Sequence, residues 1–131
     1  MLSIKRETDY AIRCVYYLSG KPDEVIMVDE IAREMCIPKS FLSKILQKLA
    51  RSKIVKSYVG VKGGFILAEN PRDITLYDVI VSVEGPVAMN RCTVKKKECA
   101  LSSKCKVHPI WVLVRHDVEQ LLKERNFGDI G

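Results

Sequence analysis

Residues 28–68 read VDEIAREMCIPKSFLSKILQKLARSKIVKSYVGVKGGFILA, and the architecture turns on this segment. Its first half, 28–47, fits a helix-turn-helix template. Val28–Met35 predicts a short helix, with Asp29 and Glu30 in the first turn where the helix dipole favours acids. Ala32 falls where two helices would cross and only a small side chain fits. Cys36 occupies the turn, where glycine is common. Pro38 opens a second helix running to about Arg51. Ile31, Met35, Ile37, Leu42 and Ile45 take the inward apolar positions.

At about 100° per residue this second helix divides cleanly. Leu42, Ile45, Leu46 and Leu49 gather on one side; Ser40, Ser43, Lys44, Gln47, Lys48 and Arg51 gather on the other. Lys39 adds a cation at the helix start. The outward face is basic and hydrogen-bonding, with no carboxylate. Such a face can enter a major groove, Gln47 reading an adenine edge and Lys44, Lys48 or Arg51 a guanine or a phosphate. An ordinary amphipathic bundle helix would show the same split, but not the short helix and tight turn before it. After it come the β-like runs Ile54–Tyr58 and Phe65–Ala68 around the turn Gly60–Gly64. Lys62, Gly63 and Gly64 at that tip let backbone lie close to a sugar-phosphate chain. Helix-turn-helix plus hairpin makes a winged helix.

Charge agrees with this placement. The chain of 131 residues carries a net charge of +6. No acidic residue lies between Glu34 and Glu69, an interval holding Lys39, Lys44, Lys48, Arg51, Lys53, Lys56 and Lys62. Those bases exceed the whole net charge, an electrostatic footprint for phosphate. Hydrophobic residues at 47% and charged residues at 29% exclude collagen-like and wholly disordered chains. No apolar run approaches the roughly 18 residues of a membrane span. Met1–Arg6 opens directly into charged residues without a secretory h-region, so a cytoplasmic protein is expected.

The flanks extend the pattern. Tyr10, Ala11, Cys14, Val15 and Leu18 predict a helix over 6–19. Thr75 caps another helix through about Glu84. Residues 90–106 read as a lysine-rich loop. A last helix spans about Pro109–Arg125, its Val107, Trp111, Val114, Val118 and Leu121 in coiled-coil-like spacing. The expected fold is mainly α with a small β-hairpin: a winged helix-turn-helix domain over 1–84, then a cysteine loop and long dimerisation helix over 85–131.

The chain has five cysteines. Cys14 and Cys36 lie in apolar patterns and are expected to pack as small hydrophobes. Cys92-x6-Cys99-x5-Cys105 is different. Lys95, Lys96, Lys97, Lys104 and Lys106 surround these thiols and favour the thiolate, which is both ligand and nucleophile. Thiolates suit zinc, iron–sulfur clusters or copper(I). The spacing lacks the close pair of a zinc ribbon and the CxxC of a thioredoxin-like site. Three thiolates leave a cluster one ligand short, and His108 or Asp9 could complete it. His116 reads as a surface residue, and Asp9 could instead pair with Arg13 at i+4. Thiol-based redox sensing without metal, or inert thiols, are the other readings.

At this point the sequence resembles the Rrf-two-type family of winged-helix transcriptional regulators, in its IscR- and NsrR-like cluster-binding branch. Thr8-Asp9-Tyr10-Ala11-Ile12-Arg13 looks like the family's first helix. Ile31-Ala32 and Ser40-Phe41-Leu42-x-x-Ile45-Leu46 resemble its helix-turn-helix. Gly60-x-x-Gly63-Gly64-Phe65 resembles its wing, and Glu84-Gly85-Pro86 the segment before its cysteines. The resemblance implies a homodimer joined by the C-terminal helix, each wing entering a minor groove of double-stranded DNA. It implies an iron–sulfur cluster held by Cys92, Cys99 and Cys105. His108 occupies the place of the fourth ligand of a two-iron (2Fe-2S) cluster, and Asp9 that of a four-iron (4Fe-4S) cluster. One departure is Val59, where the family often has arginine before the first wing glycine.

Together these features predict a dimeric DNA-binding regulator sensing iron–sulfur, redox or nitric oxide status. Neither a membrane nor a small-molecule substrate is expected as a partner. One rival is a winged-helix regulator without a cluster, answering to zinc, thiol oxidation or a protein partner. Another is an iron–sulfur carrier, which has no need of an acid-free basic helix. An enzyme is not expected: no nucleophile–base constellation, phosphate loop or paired-carboxylate motif is present.

Overall fold

A computed structural model describes residues 1–95, 99–101 and 103–130. Along them run α1 (Arg6–Ser19), α2 (Val28–Met35), α3 (Lys39–Arg51), β1 (Val55–Tyr58), β2 (Gly64–Leu67), α4 (Leu76–Val83) and α5 (His108–Lys123). Single 3-10 turns form at Pro71–Asp73 and Arg91–Thr93. The apolar spacing of each helix accounts for what it buries. α1 buries Tyr10, Ala11, Cys14, Val15 and Leu18; α3 buries Leu42, Ile45, Leu46 and Leu49; α4 buries Val79, Ile80 and Val83. Nearly all of these meet Ile31 of α2 in one core. Each fully buried leucine or isoleucine contributes on the order of 2 kcal/mol.

Local chemistry fixes the element ends. The Thr75 hydroxyl accepts from the Asp78 amide at 3.1 Å, and the Asp78 carboxylate accepts from the Thr75 amide at 3.0 Å. This capping box starts α4 where a hydroxyl cap was expected. α2 ends at Cys36, which adopts φ 54°, ψ 48°. That left-handed residue turns the chain into α3, and its side chain is exposed. Cys36 therefore does not pack as a small hydrophobe; the tight turn takes precedence over the apolar pattern around it.

β1 and β2 pair antiparallel from Val55↔Leu67 to Tyr58↔Gly64. A third segment joins them. The Ile26 and Phe65 amides each donate to the other's carbonyl at 2.8 Å. Gly64 permits this approach, since a Cβ there would lie 2.2 Å from the Ile26 oxygen. The sequence pattern gave no hint of Ile26 as a pairing residue, because one bridge leaves no alternation to read.

The end of the chain also returns to the core. The Leu76 amide donates to Arg125 O at 2.9 Å and the Phe127 amide to Ile74 O at 3.0 Å. Phe127 is then buried among the core residues of the winged helix. α5 itself has no buried residue. Trp111, Val114 and Val118 are half-buried, facing inward. Val107, Ile110, Leu113 and Leu121 are exposed, with Leu113 at 65%. The outward apolar stripe is thus displaced from the expected one around the helix, because α4 and the 91–93 turn already cover part of the latter.

Candidate nucleic-acid interface and cysteine segment

The face of α3 that its sequence leaves polar is the face the fold leaves open. Ser40, Ser43, Lys44, Gln47 and Arg51 are exposed. Among the described residues no carboxylate pairs with Lys44 or Arg51. Two other candidates are engaged. Lys39 pairs with Asp29 of α2 at 2.5 Å, and Lys48 pairs with Glu7 of α1 at 2.9 Å. Lys48 therefore sits on the flank of α3 that faces α1. The helix start carries no acid and no side-chain cap. The Lys39 and Ser40 amides have no acceptor among the described residues, and such amides suit a phosphate.

α1 braces this reading unit from behind. The Arg13 guanidinium donates to the Asp9 carboxylate at 2.8 Å and to Met35 O, at the end of α2, at 3.3 Å. It also lies over the Tyr10 ring, 5.2 Å from its centroid. At the other end of α1, the Tyr17 hydroxyl donates to Glu30 at 2.5 Å and Lys21 donates to Glu30 at 3.2 Å. These bonds hold the Glu30 carboxyl below its ordinary range, the Tyr17 hydroxyl first and Lys21 second. The same bond raises the Tyr17 pKa.

At the wing, Lys62 is exposed while Gly63 and Gly64 are half-buried. Gly63 has a packing role: a Cβ would lie 2.3 Å from the Tyr58 oxygen. Beside Lys62, Val59 and Val61 are among the most exposed hydrophobic residues described.

In the 90–106 segment Cys92, Cys99 and Cys105 are half-buried and free. Lys95, Lys104 and Lys106 are exposed. Lys96 and Lys97 lie outside the described residues. The described residues include no group of three or more His, Cys, Asp or Glu gathered closely enough to hold a metal ion. Among the described residues His108 stands apart, since its Nδ1 is buried without a hydrogen-bond partner. Asp9 is already held by Arg13, and His116 is exposed. Cys14 is inert by position: burial pushes its thiol up to about 12.

Two anchors of this segment escaped the sequence reading. Arg115 of α5 donates to Thr93 O, one residue from Cys92, and pairs with Glu119 at 2.8 Å. At the segment's entrance, Glu84 accepts from the Lys5 amide and the Thr8 hydroxyl, both at 2.8 Å. Thr8 is fully buried. Ahead of the cysteine segment the chain is thus fastened, through Glu84 at the end of α4, to the first turn of α1, whose Glu7 holds Lys48 of α3. The one signal in the sequence was a threonine, Thr8, at helical spacing with the apolar Ala11, Val15 and Leu18.

A family profile named Rrf2, described as an iron-dependent transcriptional regulator, matches residues 4–131. The chain belongs to the Rrf2 family. It is 29% identical over 123 residues to an HTH-type transcriptional regulator of Aquifex aeolicus, covering 92% of this chain and 85% of that relative. It is 32% identical over 105 residues to protein aau3 of Rhizobium meliloti, covering 79% of this chain and 68% of that relative. Among solved structures, CymR, the global cysteine regulator of B. subtilis, superposes with a TM-score of 0.79 at 24% identity. That match covers 99% of this chain and 96% of CymR. IscR of T. potens superposes at 0.76 with 22% identity, covering 98% of this chain and 85% of IscR. This Rrf2-family chain is a winged-helix transcriptional regulator and not an enzyme. No helix among the described residues is long and apolar enough to cross a membrane.

Proposed function

We propose that this Rrf2-family protein is a cytoplasmic, dimeric repressor or activator whose DNA affinity is set by the state of the cysteine segment. The observation that carries the DNA half is the open face of α3, exposed, basic and free of carboxylates. Ser40, Ser43, Lys44, Gln47 and Arg51 enter the major groove. Lys39 and Lys48 lie at its margin, where a phosphate competes with Asp29 and Glu7 for them. Lys62, Gly63 and Gly64 meet the neighbouring minor groove. The outward stripe Val107, Ile110, Leu113 and Leu121 of α5 packs against a second copy, which would cover apolar surface that one chain leaves in water.

The donor set of the cysteine segment fits an iron–sulfur cluster. Cys92, Cys99 and Cys105 would supply three soft ligands. His108 is the better fourth, because its Nδ1 has no protein partner while the Asp9 carboxylate is engaged by Arg13. When bound, such a cluster supplies an iron centre reactive toward oxidants and nitric oxide. The chain's part is mechanical. Holding a cluster would gather Cys92, Cys99 and Cys105 ahead of α5, where Arg115 already fixes the Thr93 carbonyl. A change there would pass through Glu84, bonded to the Lys5 amide and the Thr8 hydroxyl, to the first turn of α1 and, through Glu7, to Lys48 of α3.

Anaerobic reconstitution with iron and sulfide tests this. Visible charge-transfer absorption is expected, removed by Cys92→Ala, Cys99→Ala or Cys105→Ala. His108→Ala and Asp9→Ala, compared by Mössbauer spectroscopy, separate the fourth ligands. A protein that stays colourless and takes up no iron contradicts the cluster. A second reading, thiol oxidation without a cluster, draws support from the separated placement of the three thiols, and metal analysis after anaerobic preparation distinguishes the two.

A further inference from the structure

The tip of the wing carries two valines that pack against nothing in the chain. Val59 is 101% and Val61 96% exposed, the values of side chains in an extended peptide. Tyr58, before them, is 53% exposed. The valines flank Gly60, whose φ of 121° and bond from the Gly63 amide at 2.9 Å close the turn. Hairpin tips are ordinarily built of polar residues and glycine. Two β-branched apolar side chains there forgo the burial that stabilises the same residue type at Val55. Neither valine holds the fold, so any gain from them comes on binding.

Their surroundings indicate to what. The tip lies inside the interval without a carboxylate, with Lys62 exposed next to Val61 and Lys56 exposed on β1. An apolar point within a cationic ribbon complements a minor groove, where deoxyribose C–H groups form the walls and phosphates the rims. Resting on the reading of this protein as a winged-helix DNA binder, we propose that Val59 and Val61 join Lys62, Gly63 and Gly64 at the minor groove and select A·T pairs by exclusion. The guanine 2-amino group projects from the groove floor. Valine methyls offer it no acceptor, so a G·C pair beneath the tip leaves a donor desolvated and unpaired. An A·T pair presents no such donor. The contact also carries no charge and releases no counterions.

The test uses the whole chain and a duplex it selects from random-sequence DNA, with affinity read by fluorescence anisotropy across salt concentrations. Val59→Ser with Val61→Ser should weaken binding about tenfold while leaving the salt slope unchanged. Lys62→Ala should instead flatten that slope by about 0.9. Replacing A·T pairs under the wing by G·C should cost about tenfold. Replacing them by inosine·C, which lacks the 2-amino group, should restore binding. Val59→Thr with Val61→Thr keeps the β-branched shape and adds acceptors, so it should tolerate G·C. Melting temperatures should not move, since both side chains lie outside the fold. Unchanged affinity of the serine variant, or equal losses with inosine·C and G·C, overturns the proposal. A wild-type protein that selects no duplex overturns the DNA-binding reading, and this contact with it.

Discussion

The winged helix and the arm that follows it differ in where their partners lie. The helices α1–α4 supply most of one closed core, from Tyr10 to Val83, while Phe41 of α3 and Tyr58, Val59 and Val61 at the wing stay exposed. α5 buries no residue of its own, and the segment before it holds three free thiols. The core of the first region is complete within a single chain. The second carries an outward apolar stripe on α5 and three free thiols that find no complement among the described residues. Phe127, beyond α5, belongs to the first region by packing and to the second by position.

Paired substitutions can break this contrast. Leu46→Ala or Leu49→Ala should lose about 2–5 kcal/mol in urea unfolding at any protein concentration. Leu113→Asp should leave the concentration-independent part of stability intact and abolish the dimer in sedimentation velocity. A Leu113→Asp protein that unfolds like Leu46→Ala would erase the distinction.

Next in size is recognition. Gln47→Ala should remove about 1–3 kcal/mol of discrimination at one base pair, while Lys44→Ala should weaken all sequences alike and flatten the salt slope by about one. Selection on random duplexes measures both. Equal effects from the two would place Gln47 on phosphate rather than a base.

The thiols sharpen the comparison further. In the folded protein a thiol reagent should modify Cys36 promptly, and Cys14 only on unfolding. The Cys14 pKa is raised in the fold, to about 12. Its stabilisation is therefore complete below the unfolded thiol's value of about 8.5 and is lost as pH rises from there toward 12. Cys14→Ala should flatten the fall in stability between about pH 8.5 and 10. Glu30 has the opposite sign. Its lowered pKa gives stability that is present above about pH 4.3 and lost as pH falls through the folded value. Glu30→Gln should remove that acid-side slope.

The smallest effect is expected at the turn. Cys36→Gly relieves a left-handed residue and should stabilise by about 0.5–1 kcal/mol, less the entropy glycine gains when unfolded. Equilibrium unfolding resolves the sign.

How far the sequence could be read follows the same division. Helical spacing located α1–α4 because each buries one face against its neighbours. The angular split of α3 separated Leu42, Ile45, Leu46 and Leu49 from Ser40, Ser43, Lys44 and Gln47 for the same reason. Periodicity was silent on Ile26, Phe127 and Glu84, which act through one backbone bridge, one isolated ring and one carboxylate distant in sequence. It placed Cys36 in the turn but expected its side chain to pack, whereas the left-handed turn leaves that side chain exposed. In α5 it found an apolar helix but not its outward stripe, since spacing alone does not say which side α4 and the 91–93 turn already cover. Around Cys92, Cys99 and Cys105 it supplied a donor set without an assembled site.

The central claim is that the cysteine segment sets the affinity of the α3 face for DNA. Anaerobic titration of one selected duplex measures it, using protein reconstituted with iron and sulfide beside the variant carrying Cys92→Ser, Cys99→Ser and Cys105→Ser. The account predicts dissociation constants at least about tenfold apart, equivalent to about 1.4 kcal/mol of coupling. Equal dissociation constants for the two proteins would contradict it.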